Sequence, residues 1–143
     1  MTVKYRAEEL RIFAFDLLRQ KEMNSEFAET VSEILVEGDL LGHTTHGLQL
    51  LDPYLKELDA GTMKKNGEPV VVKDHGMSLF WDGCYLPGPW LVSRAIDTGL
   101  ERMASYPVFT AHVKQCHHIA CLAAYLERVA RKGHLIILTT SDP

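Results

Sequence analysis

Apolar residues recur at helical spacing through the first part of the chain and in short, strand-like runs after it. Leu10, Phe13, Ala14, Leu17 and Leu18 fall on one face of a 3.6-residue repeat, which predicts an amphipathic helix over 6–22. Asn24 or Ser25 offers a side-chain oxygen to cap a second helix with an apolar face of Phe27, Val31, Ile34 and Leu35. Gly38 or Gly42 either ends that helix or lets another segment pack close to it. Leu48, Leu51, Leu55 and Leu58 form a third stripe. Pro53 lies inside it, so the helix kinks there or restarts with Asp52 as cap. Ala60-Gly61 is its expected stop.

Beyond Gly61 the pattern changes. Val70-Val71-Val72 and Ser78-Leu79-Phe80-Trp81 read as short strands, with Asp74-His75-Gly76 as the turn of a hairpin. Gly83 to Pro89 reads as a Gly/Pro loop. A helix is expected over 90–104 through Leu91, Ala95, Ile96 and Leu100, then a strand from Pro107 to Val113. Another helix is expected over 119–131, carrying Leu122, Tyr125, Leu126 and Val129 and ending at Gly133. Leu135-Ile136-Ile137-Leu138 is apolar on both faces and reads as a buried strand. The fold class is thus α+β or α/β. An N-terminal helical segment, 1–61, leads into a mixed sheet with flanking helices, 62–143, the start of an α/β domain.

Composition narrows the class. Hydrophobic residues make up 46% of 143, enough for a real core. The net charge of −4, with acids and bases interspersed, points away from nucleic acid and from a membrane surface. The first residues hold no apolar h-region, and no apolar run has membrane-spanning length. Cys84, Cys116 and Cys121 are an odd set at irregular spacing, as expected of reduced thiols in a cytoplasmic protein.

The chemistry concentrates in two histidine clusters, His43-Thr44-Thr45-His46-Gly47 and Cys116-His117-His118-Ile119-Ala120. Histidine gains or loses a proton near neutral pH, and two such clusters beside helical sequence suggest one folded site. His43 and His46, on one face of a helix, could ligate a metal with His117 or His118 and Cys116. Alternatively, Thr44 or Thr45 caps a helix and the histidines are solvated. The second cluster follows a strand, at the kind of junction where α/β enzymes bind ligands and where a helix start favours an anion. No G-x-G-x-x-G or Walker A sequence is present.

In order, these motifs resemble the type-2 malate/L-lactate dehydrogenase family, the NAD(P)-dependent reductases of 2-oxo acids and related imines that lack a Rossmann fingerprint. Leu35 to Gly47 is similar to the family stretch leading to Ser/Thr-His-Gly. Asp82-Gly83 resembles its Asp-Gly segment, Val113 to Ala120 the segment containing Asn-His-Phe-Gly, and Gly133 to Pro143 the strand ending in Thr-Asn-Ser-x-Pro. The resemblance implies that His46 and His118 are catalytic, one of them moving the proton, and that with His117 they line the substrate site. It implies that Thr140 and Ser141 contact NAD or NADP. It also implies hydride transfer to a C=O or C=N carbon, with a histidine protonating the product oxygen or nitrogen.

The chain departs from the family pattern at four positions. Leu50 stands where many members have a carboxylate-gripping arginine, and Pro53 where some have a second. His117 replaces the Asn, and Ala120 the Gly, of Asn-His-Phe-Gly. Losing the arginine removes a bidentate partner for a small 2-hydroxy acid. Family members are more than twice as long. The resemblance therefore implies an N-terminal portion that works as a homodimer or with a complementing C-terminal chain. The rival expectations are an inactive remnant acting through self-association, and a small His/Cys metal-binding protein.

Overall fold

The structure, a computed structural model, describes residues 4–141. Helix α1 (Ala7–Gln20) packs on α2 (Ser25–Leu40), with Ala14 and Leu18 fully buried between them. Phe13 is exposed instead, because the face turned to α2 is centred on the Ala14–Leu18 pair. Asn24 is the cap of α2: its Oδ1 accepts the Glu26 N–H at 2.9 Å. This helix is the centre of the fold. Phe27, Ala28, Val31 and Leu35 are buried, and each large side chain removed from water contributes about 1.5–3 kcal/mol.

Two single 3₁₀ turns, Thr44–His46 and Leu48–Leu50, lead into α3 (Leu51–Ala60). The third stripe is therefore helical from Leu51, not from Leu48. Pro53 falls in the first turn, where its missing N–H costs nothing, so the helix does not kink. Asp52 is not the cap; it lies one residue inside the helix and pairs with Lys56 at 2.6 Å. Gly61, in the left-handed region at φ 73°, ends α3.

Strands β1 (Val70–Asp74), β2 (Ser78–Asp82) and β3 (Thr110–Lys114) form a sheet in that order. β1 pairs antiparallel with β2, and the turn between them is closed by the His75 N–H on the Ser78 carbonyl at 2.9 Å. β2 and β3 are parallel, from Ser78↔Thr110 to Asp82↔Lys114. Helix α4 (Gly88–Arg102) makes the crossover and covers Leu79 and Trp81 with Ala95. Arg102 grips both carboxylate oxygens of Asp74 at 2.6 Å and the Gly76 carbonyl at 2.9 Å, tying the hairpin to α4. That guanidinium holds the Asp74 carboxyl down at about 2. One continuous buried cluster runs from Ala14 through α2, α3 and α4 to Tyr125, drawing on residues before and after Gly61.

Two expected elements are altered. Residues 119–131 form a 3₁₀ turn (Leu122–Tyr125) and a short helix, α5 (Leu126–Ala130), rather than one helix. Ala120 has φ 57°, which no right-handed helix accommodates, and tyrosine hydroxyls take the carbonyls that helical amides would use: Tyr54 that of His118, Tyr125 that of Ile119. Leu135 to Leu138 form no strand. Leu135 and Ile137 are 87% and 82% exposed, while Leu138 packs on the edge of the core. A doubly covered strand needs a pairing neighbour, and among the described residues β3 pairs only with β2. Of the segment Gly133 to Pro143, Asp142 and Pro143 lie outside the described residues.

Candidate active site

The first histidine is placed by the end of α2. The His43 N–H bonds the Gly38 carbonyl and the His46 N–H the His43 carbonyl, both at 2.8 Å. A Cβ on Gly38 would come within 2.8 Å of the His46 carbonyl oxygen, so the glycine lets the turn pass directly over the helix. Asp39 holds the next residues: its Oδ2 accepts the Leu48 N–H at 2.9 Å, and its carboxylate fills the space a Gly47 side chain would need.

The second histidine is placed by a crossing of two loops. Gly83 and Tyr85 donate backbone N–H groups to the carbonyls of Lys114 and Gln115, each at 2.7 Å, and His117 donates to Leu86 at 3.1 Å. Gly88, at the first turn of α4, lies against the carbonyls of His117 and His118, with no room for a Cβ. Tyr54, buried on α3, reaches the His118 carbonyl oxygen at 2.9 Å and its ring Nδ1 at 3.0 Å. The Ala120 N–H donates to the same Nδ1 at 3.2 Å.

These two constructions bring His46 and His118 side by side. Their ring centroids are 5.7 Å apart with planes inclined by 28°, and both residues are exposed to solvent. The Tyr54 ring meets His118 edge-on at 6.2 Å. The His46 Nδ1 and the Thr45 hydroxyl share a hydrogen bond of 2.9 Å. Burial raises the Tyr54 hydroxyl far above its ordinary range, so it stays a neutral O–H donor.

His117 does not join this pair. Its Nε2 lies 3.8 Å from a Glu57 carboxylate oxygen. Burial pushes its pKa down, and Glu57 and the Thr62 backbone only partly offset that. The fold therefore favours neutral His117. A group whose folded pKa is depressed contributes stability above its unfolded value and loses it as the pH falls through the folded value. The stability of the chain should decline on acidification below the ordinary histidine value of 6.5, with His117 contributing part of the slope. Urea melts at a series of pH values should show a shallower acid limb in His117→Gln than in the parent; parallel limbs would assign the slope elsewhere.

Thr140 and Ser141 do not touch the histidine pair through any described hydrogen bond. With Thr139 they line a groove of about 700 Å³ between α4, β3 and residues 135–138. Cys116 and Ile119 reach that groove from the His118 loop. Cys84, Cys116 and Cys121 are unpaired, and burial raises the Cys116 thiol. Among the described residues no group of three or more His, Cys, Asp and Glu side chains converges as a metal would require, so the metal-binding expectation has no geometry behind it. Among them too, no helix is long and apolar enough to cross a membrane.

Sequence reasoning missed Tyr54, Asp39 and Gly88 as site builders. Tyr54 had a readable signal, a polar-tipped side chain at helical spacing from Leu51 and Leu58. Asp39 and Gly88 had none, because their partners are fixed only by the tertiary crossing.

Comparison with known proteins agrees with this architecture. The chain is 27% identical over 131 residues to the L-lactate dehydrogenase of Cupriavidus necator, covering 92% of this chain and 38% of that protein. It is 24% identical to hydroxycarboxylate dehydrogenase B of Escherichia coli K12, covering 94% of this chain and 37% of that one. Among solved structures, the malate dehydrogenase of Entamoeba histolytica superposes with a TM-score of 0.88 at 20% identity, over 93% of this chain and 37% of that one. The Δ1-piperideine-2-carboxylate reductase of Pseudomonas syringae pvar. tomato gives 0.82 at 20% identity, over 92% and 40%. The chain thus spans less than half the length of these relatives and corresponds to their N-terminal portion. The sequence profile of the malate/L-lactate dehydrogenase family matches residues 5–143, and the chain belongs to that family.

Proposed function

We propose that this chain is the histidine-bearing portion of a cytoplasmic NAD(P)-dependent oxidoreductase acting on a 2-hydroxy/2-oxo acid or a related imine. The observation that carries the reading is the His46–His118 pair, stacked at 5.7 Å, solvent-accessible and held from behind by Tyr54 and Ala120. An imidazole in such a place can hand a proton to an oxygen or nitrogen that gains electron density, the role general acid catalysis requires. The nicotinamide, when bound, supplies the hydride. The hydroxyls and backbone of Thr139, Thr140 and Ser141 suit one wall of a dinucleotide site, and Lys114, ion-paired with Asp82 at 3.1 Å, lines the same groove. The chain has no glycine-rich phosphate loop, so these residues fit a contributing wall rather than a complete site. Leu50 is half-buried against the core, and the substrate carboxylate must be gripped by another group.

The test is oxidation of NADH and NADPH over a panel of 2-oxo acids and cyclic imines. It should be run on the chain alone and on the chain co-expressed with the C-terminal region of the Cupriavidus necator L-lactate dehydrogenase. Turnover in the second case that vanishes when His46 and His118 are both replaced supports the reading. Turnover unaffected by those replacements would overturn it.

A second reading is that the chain acts through self-association, as a homodimer. It rests on Leu135 and Ile137, 87% and 82% exposed beside an edge of β3 that pairs with no strand among the described residues. Each contributes about 1.5–3 kcal/mol if buried in a partner. Light scattering should then find a dimer that dissociates in the doubly substituted Leu135→Ser, Ile137→Ser protein. A parent that stays monomeric at high concentration would remove this reading.

A further inference from the structure

We propose that the Ala120 backbone amide fixes neutral His118 as its Nε2–H tautomer, with the Tyr54 hydroxyl as a second positioning donor to Nδ1; its bearing on catalysis rests on the function proposed above. Three polar groups converge on one side of the His118 ring: the Ala120 N–H at 3.2 Å from Nδ1, the Tyr54 hydroxyl at 3.0 Å from Nδ1, and the His118 carbonyl 2.9 Å from the same hydroxyl. Their requirements differ. The carbonyl only accepts. The backbone N–H only donates, and it cannot rotate, because Ala120 is buried in a left-handed conformation at φ 57° that aims it at the ring. The hydroxyl alone can adapt.

Placing the ring proton on Nδ1 would set two N–H groups against each other and leave the buried Ala120 amide without an acceptor. Placing it on Nε2 gives the Ala120 N–H, the Tyr54 hydroxyl and the carbonyl a partner each. Nδ1 then accepts from Ala120, and the Tyr54 O–H is shared between Nδ1 and the carbonyl. The cost of an orphaned buried donor shifts the tautomer ratio by roughly ten-fold or more. Tyr54 can serve in this way at any working pH, since burial keeps its proton in place. The neutral ring therefore presents an N–H, not a lone pair, at Nε2. On the proposed function, that N–H is a hydrogen-bond donor to the substrate oxygen or nitrogen, and proton transfer from Nε2 needs the ring protonated at both nitrogens, its added Nδ1–H then donating to the Tyr54 oxygen.

The imidazole nitrogens report this directly. Long-range ¹H–¹⁵N spectra of the whole chain, above the pH at which its histidines titrate, resolve the tautomers; the His118 signals are those lost in His118→Gln. The expected pattern is an unprotonated Nδ1 and a protonated Nε2. The reverse pattern, or an even mixture, overturns the inference. In Tyr54→Phe the tautomer should persist while the Nδ1 resonance moves downfield, having lost one hydrogen-bond donor. An unmoved resonance would remove Tyr54 from the proposal. Should that variant not fold, incorporation of 3-fluorotyrosine, whose hydroxyl is the stronger donor, should move Nδ1 upfield instead, and no movement would again exclude Tyr54. None of these readouts needs turnover, so a protein that proves inactive would still show the tautomer.

Discussion

Gly88→Ala is expected to be the most damaging single-methyl change in the chain. Helix propensity alone argues the opposite way: alanine in place of glycine near a helix start should gain up to about 1 kcal/mol. Sterics decide the sign. A Cβ at position 88 would run into the carbonyl oxygens of both His117 and His118 and lie 2.7 Å from the His118 carbonyl carbon. All of these are backbone atoms, so no side chain can swing away. The loop is further pinned by the His117–Leu86, Tyr85–Gln115 and Gly83–Lys114 bonds. Forcing apart a packed contact of this kind costs about 1–3 kcal/mol, and more where the backbone resists. Gly38→Ala, with 2.8 Å to the His46 carbonyl, should cost less. Gly61→Ala meets nothing within 4 Å and should lose only the roughly 1–2 kcal/mol of a left-handed residue. Urea denaturation of the three variants should rank them in that order, with the His118 ring resonances displaced only by Gly88→Ala. A Gly88→Ala protein as stable as the parent would mean that the α4 start is not packed on the histidine loop.

The same comparison of local and tertiary causes explains what the sequence could disclose. The Asn24 cap, the Asp74–Gly76 turn, the stop at Gly61 and the apolar face of α4 are decided within a few residues of themselves, and they are legible. The stretch 119–131 is not. Its helical periodicity is genuine, but Tyr54 and Tyr125 take the carbonyls of His118 and Ile119, and Ala120 turns left-handed. Leu135 to Leu138 have strand composition, yet a strand forms only against a partner, and β3 offers an edge that the segment does not use. The two histidine clusters were visible as motifs. Their adjacency was not deducible from spacing, since it depends on Gly38, Asp39 and Gly88 letting two distant loops approach. By residue type alone His117 and His118 are equivalent; in the fold His117 is partly buried beside Glu57, whereas His118 is exposed and held by Tyr54 and Ala120.

That separation sets the last expectation. In a turnover-competent assembly of this chain with a C-terminal region from a relative, His118→Asn should lower kcat by about 10²–10⁴-fold, the usual range for removing a general acid. Asparagine is the informative replacement. Its side-chain oxygen can still accept from the Ala120 N–H, and it still fits beside Tyr54, so the site is emptied of its titrating group without orphaning a buried donor. His118 is exposed, and the change should cost little stability. His46→Asn should be milder. Among the described residues its imidazole is fixed by the Thr45 hydroxyl on a surface turn and by stacking on His118, an arrangement better suited to orienting a substrate than to timing a proton. It should appear mainly as a raised KM. Steady-state kinetics of both variants, normalised to the folded fraction, separates these outcomes. Loss of kcat confined to His46→Asn would move the proton donor to that ring. A His118→Asn protein that keeps more than about a tenth of the parent kcat would exclude His118 as the general acid.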